Sequence, residues 1–114
     1  MRLRFDDDLR AVVDLPYGPH LDHALGGIHG GVFATLVDTS AWFAAAVHYE
    51  NWIATIEFHT RILEPVEQED LTAVGTAVRI GNRIATARAE IHSHSGVLVA
   101  VGTASLTATG VPID

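Results

Sequence analysis

Residues 32–47 narrow what this chain can become more than any other stretch, because they cover about four helical turns and are apolar on nearly every side. Phe33, Leu36, Val37, Ala41, Trp42, Phe43, Ala44 and Ala45 leave no polar face to meet solvent, which predicts a buried helix and not an amphipathic surface one. Something else in the chain must wrap it. Thr35, Asp38, Thr39 and Ser40 interrupt the run, and it is too short to cross a hydrocarbon core of ~30 Å comfortably, so no membrane span is expected.

The remaining sequence supplies the wrapping, since it reads as β-segments with period-two alternation and short turns. The first, residues 52–63, places Ile56, Phe58 and Ile62 on one face and Thr55, Glu57, His59 and Arg61 on the other, and ends before Pro65. The second, residues 71–80, turns at Gly81-Asn82; the third, 83–94, turns at Ser95-Gly96; the fourth runs over 97–108. They are expected to form a four-strand antiparallel meander. A shorter β-like segment at 9–15 is ended by Pro16 and Gly18. Between it and the helix, Pro19, Gly26, Gly27, Gly30 and Gly31 mark a loop. One short strand, one buried helix and four antiparallel strands describe an α+β domain in which a sheet curls around a helix. No repeat or linker divides the chain, so 1–114 is read as a single domain.

A domain of this length buries only roughly 60 to 70 % of its unfolded surface. With 48 % hydrophobic residues in the chain, further burial between subunits is expected, hence a homo-oligomer. The absence of cysteine excludes disulfides, a thiolate nucleophile and cysteine metal sites, and leaves the cytoplasm as the expected location. Residues 1–10 are charged and lack the apolar core of an export signal. Fourteen acidic against seven basic residues give a net charge of −7 with no basic stripe, so nucleic acid is not an expected partner.

Two features of this sequence could carry chemistry. Asp38 is a carboxylate in an otherwise apolar helix, and such a group either finds partners or becomes reactive. One reading is structural, with hydrogen bonds from Thr39, Ser40 or a subunit interface; the other is catalytic. His29-Gly30-Gly31 stand at the helix start, where free N–H groups and the positive end of the helix dipole can polarise a carbonyl. Paired glycines also suit a tight turn alone. Asp38 follows His29 by nine residues, roughly 13 Å along a helix axis and half a turn out of phase. If both groups act on one carbonyl, the Gly30 amide must come from one subunit and Asp38 from another, which predicts two shared sites per dimer.

The run His29-Gly30-Gly31-Val32-Phe33-Ala34-Thr35-Leu36-Val37-Asp38 resembles the HGG-x(4)-L-x-D signature of the PaaI-type hotdog thioesterases. Gly26, Ala54-Thr55, Leu63-Glu64-Pro65 and the Gly81-Asn82-Arg83 turn add to the resemblance, which covers about residues 9–109. It implies a hotdog fold and a hydrolase of acyl-CoA or related thioesters, without a cofactor. It further implies Asp38 as nucleophile or general base, the partner's Gly30 amide on the carbonyl, Thr55 helping to position water, and a tetramer made of two dimers. Many relatives carry asparagine six residues before the histidine, where this chain has His23; an imidazole also donates a hydrogen bond, with different reach and protonation.

His29 is read mainly as bracing the loop, and with Gly31 it borders the expected substrate site. His92 with His94, and His20 with His23, are pairs that no third ligand completes by sequence, so no metal is expected. Arg79, Arg83 and Arg88 flank the second turn and are the candidates for the phosphates of coenzyme A, although they also suit a solvated sheet edge. Phe33, Trp42 and Phe43 suit the core first and an acyl pocket second. A hotdog dehydratase or hydratase would need a histidine and acid in another motif, which is not found. A non-catalytic acyl-CoA-binding module is the alternative that His23 favours.

Overall fold

The computed structural model describes residues 1–113. The helix, α1 (Gly30–Ala46), starts two residues earlier than the apolar run suggests. Both glycines lie inside its first turn because His29 caps it. The strands are β1 (Arg2–Phe5), β2 (Ala11–Leu15), β3 (Asn51–Ile62), β4 (Leu71–Ile80), β5 (Ile84–Ser93) and β6 (Leu98–Pro112), with a single 3₁₀ turn at Pro19–Leu21. β1 is absent from the sequence reading, because its four residues alternate charge and apolarity over too short a span to register.

All pairings are antiparallel and build one six-stranded sheet in the order β1-β2-β4-β5-β6-β3. The expected four-strand meander is therefore corrected: β4, β5 and β6 form one, but β3 crosses to the far edge and pairs with β6 instead of β4. Its neighbour is set by long-range pairing, which local alternation does not encode. The α+β hotdog architecture stands, with α1 lying across the concave face.

Small residues bring the helix close. Ala73 and Gly75 of β4, Ala85, Ala87 and Ala89 of β5, and Ala100, Gly102 and Ala104 of β6 floor the concave side. A Cβ on Gly75 would stand 2.1 Å from the Ser40 carbonyl oxygen, and one on Gly102 would stand 2.6 Å from a Val37 methyl. Phe33, Leu36, Val37, Ala41, Ala44 and Ala45 are fully buried against this floor. Ser40 is buried too, and its hydroxyl donates to Leu36 O at 2.7 Å, so the helix carries no unpaired polar group there.

β3 is irregular. Its register slips between Asn51 and Ile53, where the extra residues lie in β6 at 109–111 opposite Trp52, and again between Thr55 and Glu57, where Ile56 is the extra residue of a bulge in β3. The expected faces are corrected accordingly. Ile53 and Thr55 look toward the helix before the bulge at Ile56, and beyond it Phe58, Thr60 and Ile62 share that side with their partners Ala104, Gly102 and Ala100. Glu57, His59 and Arg61 take the convex face. β3 is also one of the two edges of the sheet, and Trp52, Ile56, Phe58 and Ile62 are all exposed along it.

Candidate active site

Asp38 sits midway along α1, half-buried, on the side of the helix that faces β3. The inward turn of Thr55 brings its hydroxyl to donate to Asp38 Oδ1 at 2.7 Å. Among the described residues no group holds the second oxygen, Oδ2. One oxygen is thus clamped and the other is left free to act. The Thr39 and Ser40 hydroxyls do not satisfy the carboxylate, since Ser40 donates back into its own helix.

The helix start provides the second polar element. His29 Nδ1 accepts from the Gly31 N–H at 2.9 Å and His29 O accepts from the Val32 N–H at 3.0 Å. With Nδ1 as acceptor, the ring in this pose carries its proton on Nε2. Among the described residues no hydrogen bond uses the Gly30 N–H, the one amide of this cap left to meet a ligand. His29 therefore braces the helix start.

His23 and Gly30 line one cavity of about 330 Å³, together with Phe33, Ile62, Leu63 and Glu64. The His23 ring is set by the Leu25 N–H, which donates to Nδ1 at 3.1 Å, and by Gly27, where a Cβ would come within 3.0 Å of Nε2. Its Nε2–H is thereby the donor available to the cavity. Glu64 is a wall residue that sequence reasoning noted only within the Leu63-Glu64-Pro65 ending of the strand, and Ile62 one that it placed on a strand face without assigning it to a site. Gly31 and His29 border a second cavity of about 410 Å³ on the other side of the helix, with Leu15, Leu21, Val32 and Leu36. Its wall is tied by Tyr17, whose hydroxyl donates to Asp22 Oδ2 at 2.5 Å. That bond and burial push the Tyr17 phenol above its ordinary value.

Asp38 and Gly30 are not brought together within one chain. α1 is unbroken from Gly30 to Ala46, so eight residues separate them by ~12 Å along the axis. The three arginines are not one cluster either. Arg83 lies in the β4–β5 turn, Arg79 lines a shallow cleft with His48, and Arg88 points from the convex face of β5 into a groove with His59, Arg61 and Glu90. Among the described residues no three acidic or histidine groups stand close enough to hold a metal ion; His94 lies beyond the end of β5 instead of sharing its face with His92. Of the three aromatic residues weighed for a pocket, Phe33 is core, while Trp42 and Phe43 are only half-buried.

The family model described as "Thioesterase superfamily" matches residues 25–100. The chain belongs to this superfamily. It is 28 % identical over 93 residues to the medium/long-chain acyl-CoA thioesterase YigI of Escherichia coli, an alignment covering 68 % of this chain and 60 % of YigI. It is 29 % identical over 90 residues to the putative esterase SSO2140 of Saccharolobus solfataricus, covering 78 % of this chain and 64 % of that protein. The chain thus spans less than two thirds of the length of these relatives. The solved structure of BH2602 from Bacillus halodurans with CoA superposes with a TM-score of 0.87 at 27 % identity, over 95 % of this chain and 73 % of that one. The PaaI protein from the phenylacetic acid degradation operon of E. coli superposes with a TM-score of 0.88 over 99 % of this chain and 82 % of that one; at 20 % identity it speaks for the fold.

Proposed function

We propose that this chain hydrolyses an acyl-CoA, or a related acyl thioester, to the free acid and thiol. The observation that carries the reading is the half-clamped Asp38 carboxylate, with Oδ1 held by Thr55 and Oδ2 free. Asp38 acts on the carbonyl carbon directly, through a mixed anhydride that water then cleaves, or takes the proton of the attacking water; both routes balance to acid and thiol. The developing oxyanion is met by the unused Gly30 N–H of a partner subunit, at the positive end of its helix. His23 Nε2–H is the second donor in that cavity, and His29 and Gly31 hold the amide in place. Thr55 acts by aiming Asp38 rather than by holding water.

The shared site requires a homo-oligomer. The free β3 edge with Trp52, Ile56, Phe58 and Ile62 exposed is the surface suited to pair with a second copy. Two such dimers joined as a tetramer, in the cytoplasm, complete the reading. Arg79, Arg83 and Arg88 remain the candidates for the coenzyme phosphates, now as separate surface points. CoA in the Bacillus halodurans structure supports a CoA ligand here.

A second reading, an acyl-CoA-binding module without turnover, draws on His23 in place of asparagine. Thiol release from a panel of aromatic and aliphatic acyl-CoAs separates the two. Hydrolysis by the wild type that is lost in Asp38→Ala and Asp38→Asn, both still folded oligomers, supports the enzyme; binding without hydrolysis supports the module.

A further inference from the structure

β3 has no strand outside it, and two of its residues mark the two halves of the proposed site. Thr55 donates to Asp38, while the Ile62 side chain lies against the helix start, where a Cβ on Gly30 would come within 3.3 Å of its Cδ1. Phe58 and Thr60 take the concave positions between them, with the bulge at Ile56 as the one interruption. The Leu63 N–H donates inward to Val99 O at 2.7 Å. Backbone groups alternate sides along a strand, so those of Phe58, Thr60 and Ile62 point away from β6, to the open edge. On the convex face Glu57, His59 and Arg61 follow one another, all exposed, with Glu57 Oε1 3.9 Å from His59 Nε2.

We infer that a second copy of the chain adds to this edge antiparallel, about a two-fold axis that passes at His59, so that Glu57 faces Arg61 of the partner subunit and His59 stands beside the partner's His59. The inference rests on the shared-site reading and gives it a register. An axis that carries Asp38 to Gly30 of the partner subunit passes midway between Thr55 and Ile62. Opposed residues of an antiparallel pair share a face, and an axis upright on the sheet exchanges chains without exchanging faces, so it falls on a residue and not between two. Counted over the concave positions Thr55, Phe58, Thr60 and Ile62, the midpoint is His59. Charge selects the same register, because opposite charges directly across a strand pair stabilise it and like charges do the reverse. An axis at Thr60 would set His59 against the partner's Arg61 and leave Glu57 without a cation, and an axis at Phe58 would leave Arg61 without a carboxylate. At His59 the Glu57 and Arg61 charges are matched on both sides of the axis, and Ile62 comes beside the partner's Ile56, both of them apolar side chains exposed in the single chain. Phe58 and the partner's Thr60 then exchange backbone hydrogen bonds through the groups that the edge presents. His59 and the partner's His59 form the closer, non-hydrogen-bonded kind of pair, with Cα atoms ~4.5 Å apart.

The chain has no cysteine, so a single introduced thiol reports only on its own image in the partner. Under this register His59→Cys oxidises to a disulfide-linked dimer, since its image lies within the Cα range that a disulfide spans. Phe58→Cys and Thr60→Cys do not link, their own images lying beyond ~7 Å. In sedimentation, Glu57→Arg is expected to weaken the dimer about tenfold, and Glu57→Arg combined with Arg61→Glu to restore it. Self-linking of Phe58→Cys or Thr60→Cys in place of His59→Cys would move the axis and overturn the register, as would a double variant no tighter than Glu57→Arg. Acyl-CoA hydrolysis is measured on the linked His59→Cys dimer and on the wild type. Linking at His59 without turnover in either protein supports the register and refutes hydrolysis. Turnover by the wild type with no linking at His59 refutes the register and leaves hydrolysis standing. A wild-type monomer without turnover refutes both.

Discussion

Thr55 and Asp38 are joined by a 2.7 Å hydrogen bond between a β-strand and a buried helix, and the bulge at Ile56 directly after Thr55 sets the faces of the strand around that bond. Without the slip at Ile56, residues 53 to 62 would keep one alternation. Thr55 and Phe58 could not then both face the helix. The register irregularity is therefore part of how the carboxylate is aimed.

Thr55→Val keeps the shape and removes the donor. A hydrogen bond to a charged group contributes about 1.5–3 kcal/mol, so kcat is expected to fall between about tenfold and a hundredfold while KM changes little. Thr55→Ser should recover most of it. Equal kcat in Thr55→Val and wild type would show that the bond does not aim Asp38.

Gly75→Ala tests the close seat of the helix on the sheet. The added methyl meets backbone, the Ser40 carbonyl, which cannot rotate away. Overpacking of this kind costs about 1–3 kcal/mol or more, seen as a lower midpoint in thermal unfolding. Gly96→Ala is a poor control because its φ of 89° strains any side chain. Glu67→Ala, at an exposed loop position, is the suitable one and should unfold near the wild-type midpoint.

The Tyr17 phenol is held above its ordinary value by its hydrogen bond to Asp22 and by burial. A raised folded value stabilises the fold below pH ~10, the unfolded phenol value, and that contribution is lost as pH rises through the folded value. Ultraviolet titration should show one tyrosine ionising late, and Asp22→Asn should bring it earlier. Coincident titration of Tyr17 in both proteins would contradict the pairing.

Ile56→Lys places a charge on the free β3 edge at an exposed bulge position. Light scattering should show a smaller species, and thiol release should fall with it, although Asp38 and Thr55 are untouched. A monomer that retains full activity would rule out a shared site.

Much of this arrangement was legible from the residues. An all-round apolar helix had to be wrapped, and the strand segments at 71–80 and 83–94 fall within a residue of where they form, because alternation and turn glycines act locally. Asp38 stood out since a carboxylate in such a helix needs a reason. The position of β3 beside β6, the two register slips and the resulting partnership of Thr55 with Asp38 arise from pairing over some fifty residues, which no local pattern records. For the same reason the three arginines, close in sequence, proved scattered: a strand with a bulge at Val78 and an intervening turn sends them to different surfaces.

Subunit complementation tests the shared site most directly. Gly30 is the first helical residue, a position where proline is well tolerated, and His29 before it has the extended backbone, φ −63° and ψ 139°, that a following proline requires. Gly30→Pro therefore removes the one unused N–H with little cost to the helix. Gly30→Pro and Asp38→Ala chains should each be inactive alone. Refolded together, they should recover about a quarter of the wild-type sites, the fraction expected from random pairing of two chains across a two-fold interface. No recovery in demonstrably mixed oligomers would contradict a site built from the Asp38 of one chain and the Gly30 of another.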